Sequence, residues 1–389
     1  MVGAVVCGAG IAGLSVALQL HRHGWDVTVL EAAPGPRVEG YMMDFFGPGF
    51  EAADAMGLLP RLRELSRPVS ELVYVDGRGR RRARAAYASF VRALDGRLMS
   101  LMRPDLELAL REQVTGRAEL RYASTVGRID DGPGSVRVAL GDGTVLDADL
   151  LVGADGIHSE VRARVFGPEE RYLRPLGLHT AAFTFTDPRL HAELGDRLHL
   201  TDTVDRTMGL YALDDATVAV FTVHRDPAPT RPGDARERLR TVFAGLGWIV
   251  PAVLEHCPPS DRMYYDVVAQ VEVPRWSDGR VVLAGDACQA VSLVAGQGAS
   301  LAVAGAFVLA EQLAAASSVS EGLAAYERRW RPVVVERQRA GRSGIEWFLP
   351  SSPAALRKRR VALRLFALPG LNRVLTGSLV GRTRVPVTR

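Results

Sequence analysis

Val2-Gly3-Ala4-Val5-Val6-Cys7-Gly8-Ala9-Gly10-Ile11-Ala12-Gly13 is the stretch on which the fold turns. Val2 to Cys7 is a short apolar run suited to a strand buried on both faces. The glycines that follow have the spacing of a strand-to-helix turn. The first (Gly8) allows the tight turn, the second (Gly10) lets backbone approach a pyrophosphate, and the third (Gly13) lets helix and strand pack closely. With Ile11 and Ala12 they put free N–H groups at the positive end of a helix. That helix carries Leu14, Leu18 and Leu20, runs to His21–His23, and takes Gly24 as its C-terminal cap. Asp26 to Leu30 is the second buried strand, and Glu31 ends it, where a carboxylate can accept hydrogen bonds from ribose hydroxyls. This βαβ opening predicts a Rossmann-like dinucleotide-binding domain.

Downstream, the pattern changes repeatedly. Ser70 to Arg84 alternates around Asp76-Gly77, a hairpin signal, and is followed by a helix at about 103–114 and a β-meander at about 120–145. Asp149 to Gly153 and Arg280 to Ala284 are again continuous apolar strands, the latter preceding a long Ala-rich helix. Between about 171 and 266 the chain alternates and is rich in Thr, Val, Phe and Tyr, with one helix at about 234–246. The expected organisation is α/β and discontinuous. A dinucleotide domain comprises 1–70, 96–170 and 267–340, a mainly antiparallel β domain comprises 71–95 and 171–266, and a helical, Arg-rich segment covers 341–389.

Bulk properties narrow the function classes. The 389 residues are 47% hydrophobic and 24% charged, with a net charge of +4 and a single lysine, Lys358, so arginine supplies nearly all the positive charge. Basic residues are interleaved with acidic ones, which argues against a nucleic-acid surface. Cys7, Cys257 and Cys288 are odd in number and form no CxxC or metal pattern, so a reducing, cytoplasmic setting is expected, with no metal. The start of the chain has neither a basic leader nor a cleavage site. The longest apolar run, Ala299 to Ala310, is closed by Glu311 and Gln312, short of the roughly 20 residues that span a bilayer. Arg357-Lys358-Arg359-Arg360, flanked by Leu356, Leu363 and Phe366, is expected to pack its apolar side on the protein and leave the charges solvated, so membrane association is not expected.

Two later motifs decide which dinucleotide binds. Leu151-Val152-Gly153-Ala154-Asp155-Gly156 with Ser159 and Arg162 resembles the "DG" signature of flavin monooxygenases related to para-hydroxybenzoate hydroxylase. Arg280 to Ala287, containing Gly285-Asp286, followed by Gly296-Gln297-Gly298, resembles their "GD" signature. A carboxylate just past a strand end can bind ribityl or ribose hydroxyls, and glycines at a helix start let N–H groups face the pyrimidine edge of a flavin. Arg103, Leu106 and Leu110 match the family's Arg-x-x-Leu-x-x-x-Leu helix, whose arginine contacts the cofactor. The resemblance covers essentially the whole chain, and its length is similar to the short members, such as tetracycline-inactivating monooxygenases. It departs at Ala32, where an Arg is usual and Arg37 either takes over an adenosine-side contact or faces solvent, and at Cys288, Gln289 and Leu293, which put the shape and polarity near the reacting face in doubt.

The resemblance implies FAD, reduced by transient NADPH or NADH because there is no second dinucleotide motif. O₂ then forms a C4a-hydroperoxide that delivers one oxygen atom to an aromatic or polycyclic small molecule, such as a natural product or antibiotic. Hydroxylation is the leading reading, with Baeyer–Villiger or epoxidation chemistry, a reductase or dehydrogenase, and a non-redox flavoprotein as alternatives. The lysine and Trp-x-Trp-x-Ile-Pro segment of flavin halogenases do not occur. Pocket candidates come from placement: Tyr41, Met42, Asp44, Phe45 and Phe46 after Gly40, and Phe183, Phe185, Met208, Tyr211, Phe221 and His224 on the inserted strands, with Leu293 before the Gly-Gln-Gly. Strand alternation lets only one face of each strand meet a pocket, so about half of these are expected to be plain core or surface residues. His224 could serve as base toward a phenol, although a strand-end His satisfied by backbone or water is the plainer reading. Asp44 and Tyr211 are further catalytic candidates. Oligomeric state is not legible.

Overall fold

The computed structural model describes residues 2–36, 40–292 and 296–366. The chain opens with β1 (Gly3–Cys7), α1 (Ile11–Arg22) and β2 (Asp26–Leu30). It continues through β3 (Met42–Phe46), α2 (Pro48–Ala55) and α3 (Leu59–Leu65). The hairpin β4 (Glu71–Val75) and β5 (Arg81–Ala86) follows, then α4 (Tyr87–Ala93), β6 (Leu98–Met102) and α5 (Arg103–Val114). Next come β7 (Glu119–Arg121), β8 (Val126–Asp131), β9 (Val136–Leu140), β10 (Val145–Ala148), β11 (Leu150–Gly153) and α6 (Glu160–Val165).

A second stretch holds β12 (Leu173–Thr186), α7 (Pro188–Leu194), β13 (Leu198–Thr201), β14 (Arg206–Ala212) and β15 (Thr217–Arg225). It ends with α8 (Ala235–Phe243), α9 (Val250–Glu255) and β16 (Tyr264–Val271). The chain then passes through β17 (Ser277–Asp278), β18 (Val281–Leu283) and α10 (Asp286–Gln289). The last helices are α11 (Gly298–Ala315), α12 (Val319–Phe348) and α13 (Pro353–Phe366).

Two sheets organise these elements. The first has the order β17-β18-β11-β1-β2-β7, parallel except for β17. Its inner strands β18, β11, β1 and β2 are largely apolar because both faces are covered, and α1, α11 and α12 share its core with Trp276, Tyr326 and Trp330. The second has the order β16-β12-β15-β14-β13-β4-β5, antiparallel except between β13 and β4. The strands β3 and β6 pair separately and lie between the two sheets in the chain's path.

Several sequence expectations need correction. β7 joins the parallel sheet, so only β8, β9 and β10 form the small antiparallel sheet expected from the whole 120–145 meander. Two helices besides α8 interrupt the second sheet. α7 is started by Asp187, whose carboxylate accepts from the N–H groups of Arg189 and Leu190, with Pro188 in the first turn. α9 follows in the same way a proline at its start. The expected boundary at 267 falls inside β16, which stays paired to β12 as far as Val271, and the one at 341 falls inside α12. On α13, Leu356 and Leu363 are buried as expected, but Arg359 is buried too. It bonds Asp202 at 2.7 Å and lies 4.7 Å over the Tyr74 ring. The calls on Arg37 and Leu293, and on the Phe366 side chain, lie outside the described residues.

α11 is long and apolar enough to cross a membrane, yet 67% of it is buried inside the protein. It packs between α1, α2 and α12. Gly305 is where it meets α12. A Cβ there would lie 2.7 Å from Trp330 Nε1, which donates to Gln289 Oε1 at 2.7 Å. Gly305→Ala is expected to break that buried bond and lower stability by about 1–3 kcal/mol, read as an earlier chemical-denaturation midpoint.

Candidate active site

The main cleft follows from how β1 ends. Gly8 holds a φ of +102°, and a Cβ on it would lie 2.5 Å from the Ala154 carbonyl oxygen. Only glycine satisfies both the turn and the contact. A Cβ on Gly13 would lie 1.8 Å from the Gly8 carbonyl oxygen, so α1 sits hard against the turn. Gly10 differs, because its nearest neighbour would be Glu107 Oε1 at 3.7 Å. The space beside it is the cleft, and the N–H groups at the start of α1 have no partners within the helix.

The cleft has a volume of about 710 Å³ and is lined by Gly8, Gly10, Ile11, Ala12 and Glu31 from the opening motif. Asp155 and Gly156 line it from the end of β11, and Asp286, Gly296 and Gly298 from the turn after β18. Glu31 is fixed at the edge, accepting at 2.9 Å from the N–H groups of both Ala9 and Ala33. Arg103, at the start of α5, pairs with Glu107 at 2.8 Å. Burial opposes the Arg103 charge, and Glu107 together with Tyr41, Tyr264 and Asp286 more than offsets it. Asp286 is exposed to the cleft but surrounded by protein, so burial raises its pKa against the lowering by Arg103. Gln297, at the N-cap of α11, is buried, and its Oε1 has no partner among the described residues.

These features fit FAD. The exposed helix start suits the pyrophosphate, Glu31 a ribose, Asp286 the ribityl hydroxyls, and the lone Gln297 acceptor a polar edge of the ring system. FAD, when bound, supplies the electron transfer and the oxygen activation. The chain supplies placement.

Two predicted cofactor residues have other duties. Arg162 is fully buried, and its guanidinium donates to the carbonyls of Ala287 (3.0 Å) and Ile157 (2.8 Å) and to Glu169 (3.1 Å). It ties the turn after β11 to the turn after β18 from behind, because helix α6 directs it inward. Asp155 reaches the cleft, but its carboxylate caps α6, accepting from Ser159 Oγ at 2.5 Å and from the Val161 N–H at 3.0 Å. Gly13 packs rather than lines, as its role in the motif requires. Cys288 and Gln289 are buried and absent from the cleft wall, so these departures alter the core and not the reacting face.

The second sheet divides the pocket candidates by strand parity. Tyr211 and Phe221 face away from the helical layer, but they pack with Met42, Met102 and Ala219 and none of them lines the cleft. The Phe221 ring lies over Gly209, where a Cβ would come within 2.0 Å of it. Phe183, Phe185 and Met208 face the opposite way and form a core with α7, α8 and α9, so they are corrected from pocket to core. Phe45 is likewise fully buried in the main core. On β3, Met42, Asp44 and Phe46 share the other face and do not line the cleft.

His224 also faces away from the cleft. Its ring meets Phe243 of α8 edge-on at 6.2 Å, beside His179 and Tyr265. Burial first, then His179 and Arg238, push its pKa down to about 4. His179, His224 and Asp226 could geometrically hold a metal ion. The surrounding bonds oppose it. Arg238 already neutralises Asp226 at 2.7 Å, and His179 Nε2 faces the Ala228 carbonyl at 2.8 Å, which leaves Nδ1 to accept from Tyr265 Oη at 3.0 Å. His224 is thus a core residue.

Sequence reading missed several cleft residues. Tyr264 from β16 lies 6.0 Å from Tyr41, closing the passage between the two sheets. His158 sits at the rim between Glu169 (3.1 Å) and Asp266 (3.3 Å), and the Asp266 hydrogen bond leads in raising its pKa. β16 does not alternate, and Asp266, Val267, Val268 and Ala269 line the cleft in succession, so parity marks neither Tyr264 nor Asp266. No local pattern marked His158.

This geometry defines a two-sheet flavoprotein with a dinucleotide cleft against a second sheet. The FAD binding domain family matches residues 1–339. The FAD-dependent monooxygenase asL6 of Sarocladium schorii is 31% identical over 372 residues, covering 88% of each chain. An uncharacterized protein of Mycobacterium tuberculosis is 32% identical over 341 residues, covering 86% of this chain and 91% of its own. Among solved structures, the tetracycline destructase Tet(51) superposes with a TM-score of 0.82 at 24% identity over 99% of both chains. Klebsiella pneumoniae HpxO, complexed with FAD and uric acid, superposes with a TM-score of 0.79 at 22% identity over 97% and 96%. The chain belongs to the FAD-binding family of flavin-dependent monooxygenases.

Two outcomes are expected. Asp286→Ala should weaken FAD retention by about tenfold or more, measured by flavin absorbance after gel filtration, since a buried charge-assisted contact is lost. His224 has a folded pKa below its unfolded value, so its contribution is present at neutral pH and lost as pH falls from about 6.5 towards 4. Denaturation midpoints measured from pH 7 to pH 4 should therefore fall less steeply in His224→Asn, by up to about 3 kcal/mol.

Proposed function

We propose that this monooxygenase uses NADPH or NADH and O₂ to hydroxylate an aromatic or polycyclic small molecule. The observation that carries this reading is the apolar face that the second sheet turns toward the cleft. Tyr264, Val267, Val268 and Ala269 of β16 and Thr180 of β12 line it there, together with Tyr41 and Met43. A flat apolar ligand is the natural partner for such a surface. Polar groups at its edge are few, and each can fix an orientation.

The structural relatives point the same way, since the names of two of them refer to tetracycline and uric acid, both ring systems. A natural product or an antibiotic is the substrate class that this face supports best. The chain's own part is to hold the ring against the flavin, shield it from water and orient it. With three free, buried cysteines, the setting that suits the protein is the cytoplasm.

The test is anaerobic reduction of the holoenzyme by NADPH and by NADH, with and without phenolic polycycles, followed by turnover under ¹⁸O₂. Faster flavin bleaching with one compound and one ¹⁸O atom in its product are expected. Bleaching without label in any product would replace hydroxylation by a reductase or dehydrogenase reaction.

A further inference from the structure

We propose that Gln270 and Gln338 set the reduction potential of the bound FAD, by holding two backbone carbonyls of its pocket wall turned away from the ring. This role depends on FAD binding alone and not on the substrate reading above.

The wall in question is the turn between α10 and α11. Ala290, Val291 and Ser292 line the cleft there in succession. Their backbone carbonyls must find donors somewhere, and a carbonyl left free would face the cleft. The Ala290 oxygen accepts from Gln338 Nε2 at 3.1 Å and from the Val271 N–H at 3.2 Å. The Val291 oxygen accepts from Gln270 Nε2 at 3.0 Å. Both glutamines are buried and neither lines the cleft, so the donors pull from behind the wall.

The two amides are also locked to each other's elements. Gln270 Nε2, on β16, donates to the Gln338 carbonyl of α12 at 2.8 Å, and Gln338 Nε2 donates to the Val271 carbonyl at 2.7 Å. Arg342 donates to Gln270 Oε1 and pairs with Glu272 at 2.8 Å. That cation fixes which way the Gln270 amide points, since its NH₂ then serves the carbonyls. Gln338 meets two carbonyls, which only its NH₂ can satisfy. Ser292 shows that the turn is held rather than relaxed, because its φ of +87° lies in the left-handed region that a serine rarely adopts. The turn therefore takes its orientation from β16 and α12.

The consequence is electrostatic. Taking up two electrons and one proton leaves the flavin ring with one net negative charge. Carbonyl lone pairs facing it would oppose that charge in a site of low dielectric, and carbonyls turned away do not. Gln270 and Gln338 touch neither the cofactor nor a substrate, and act as positioning residues.

The test measures the midpoint potential of the FAD-loaded protein, reduced anaerobically with xanthine and xanthine oxidase beside a reference dye. FAD affinity and the denaturation midpoint are measured on the same samples. Gln270→Met and Gln338→Met are expected to lower the reduced-to-oxidised ratio at a given potential by about tenfold, which is about 30 mV for a two-electron couple. Affinity for oxidised FAD should change by less than that. Phe243→Leu, in the layer behind the second sheet, should lower the denaturation midpoint and leave the potential where it is. Arg342→Met keeps both amides but frees Gln270 to turn, and should shift the potential the same way by a smaller amount. If neither glutamine variant retains FAD, Arg342→Met decides. Unchanged potentials in the variants that hold FAD, or an equal shift in Phe243→Leu, would overturn the role of the glutamines and leave FAD binding standing.

Discussion

The structure depends on how closely α1 approaches two turns. A Cβ at Gly13 would sit 1.8 Å from the Gly8 carbonyl, and one at Gly285 would sit 2.4 Å from Ala12 Cβ. Neither contact tolerates a side chain. Because α1 is pressed between the turn after β1 and the turn after β18, its first N–H groups and the Asp286 carboxylate converge on one cleft. Loosening either contact would separate the pyrophosphate end of the site from the ribityl end.

The second sheet adds a different constraint. Its strands are buried on both faces, so parity alone decides which side chains meet a ligand. β14 sends Met208 and Leu210 to the helical layer and Tyr211 against Met42 of β3 and Met102 of β6, and β15 sends Val218 and Val220 one way and Phe221 the other. The helices α7, α8 and α9 cover the far face and keep the sheet rigid. The near face can stay partly open because the dinucleotide unit and the ends of α12 and α13 close around it.

This parity explains what was legible in the sequence and what was not. The glycines of the opening motif were legible because backbone geometry forces glycine there. Glu31 followed from its place at a strand end, and Arg103 and Asp286 from the resemblance; these three side chains line the cleft. Pocket residues were not legible, since continuous apolar strands such as β15 carry no polar phase to show which face is which. His224 reads in the sequence as a possible base but more plainly as a satisfied strand-end histidine, and its edge-on contact with Phe243 of α8 bears out the plainer reading. Arg162 belonged to a recognisable motif, and its full burial behind the cleft came from the inward turn of α6. Gln270 and Gln338 gave no local signal, because their meeting depends on how α12 packs on β16.

The order of the parallel sheet bears on how the protein is made. β1 and β2 are synthesised first and β11 joins them by residue 153, but the neighbour of β11 on its other side is β18, at residues 281–283. Between those points five of the seven strands of the second sheet, β12 to β16, must emerge. A growing chain therefore carries an apolar strand with one unpaired edge from residue 153 until β18 emerges at residue 281, open to pairing with another copy. Recombinant yield should thus respond to translation speed and chaperone supply more than the stability of the finished fold would suggest.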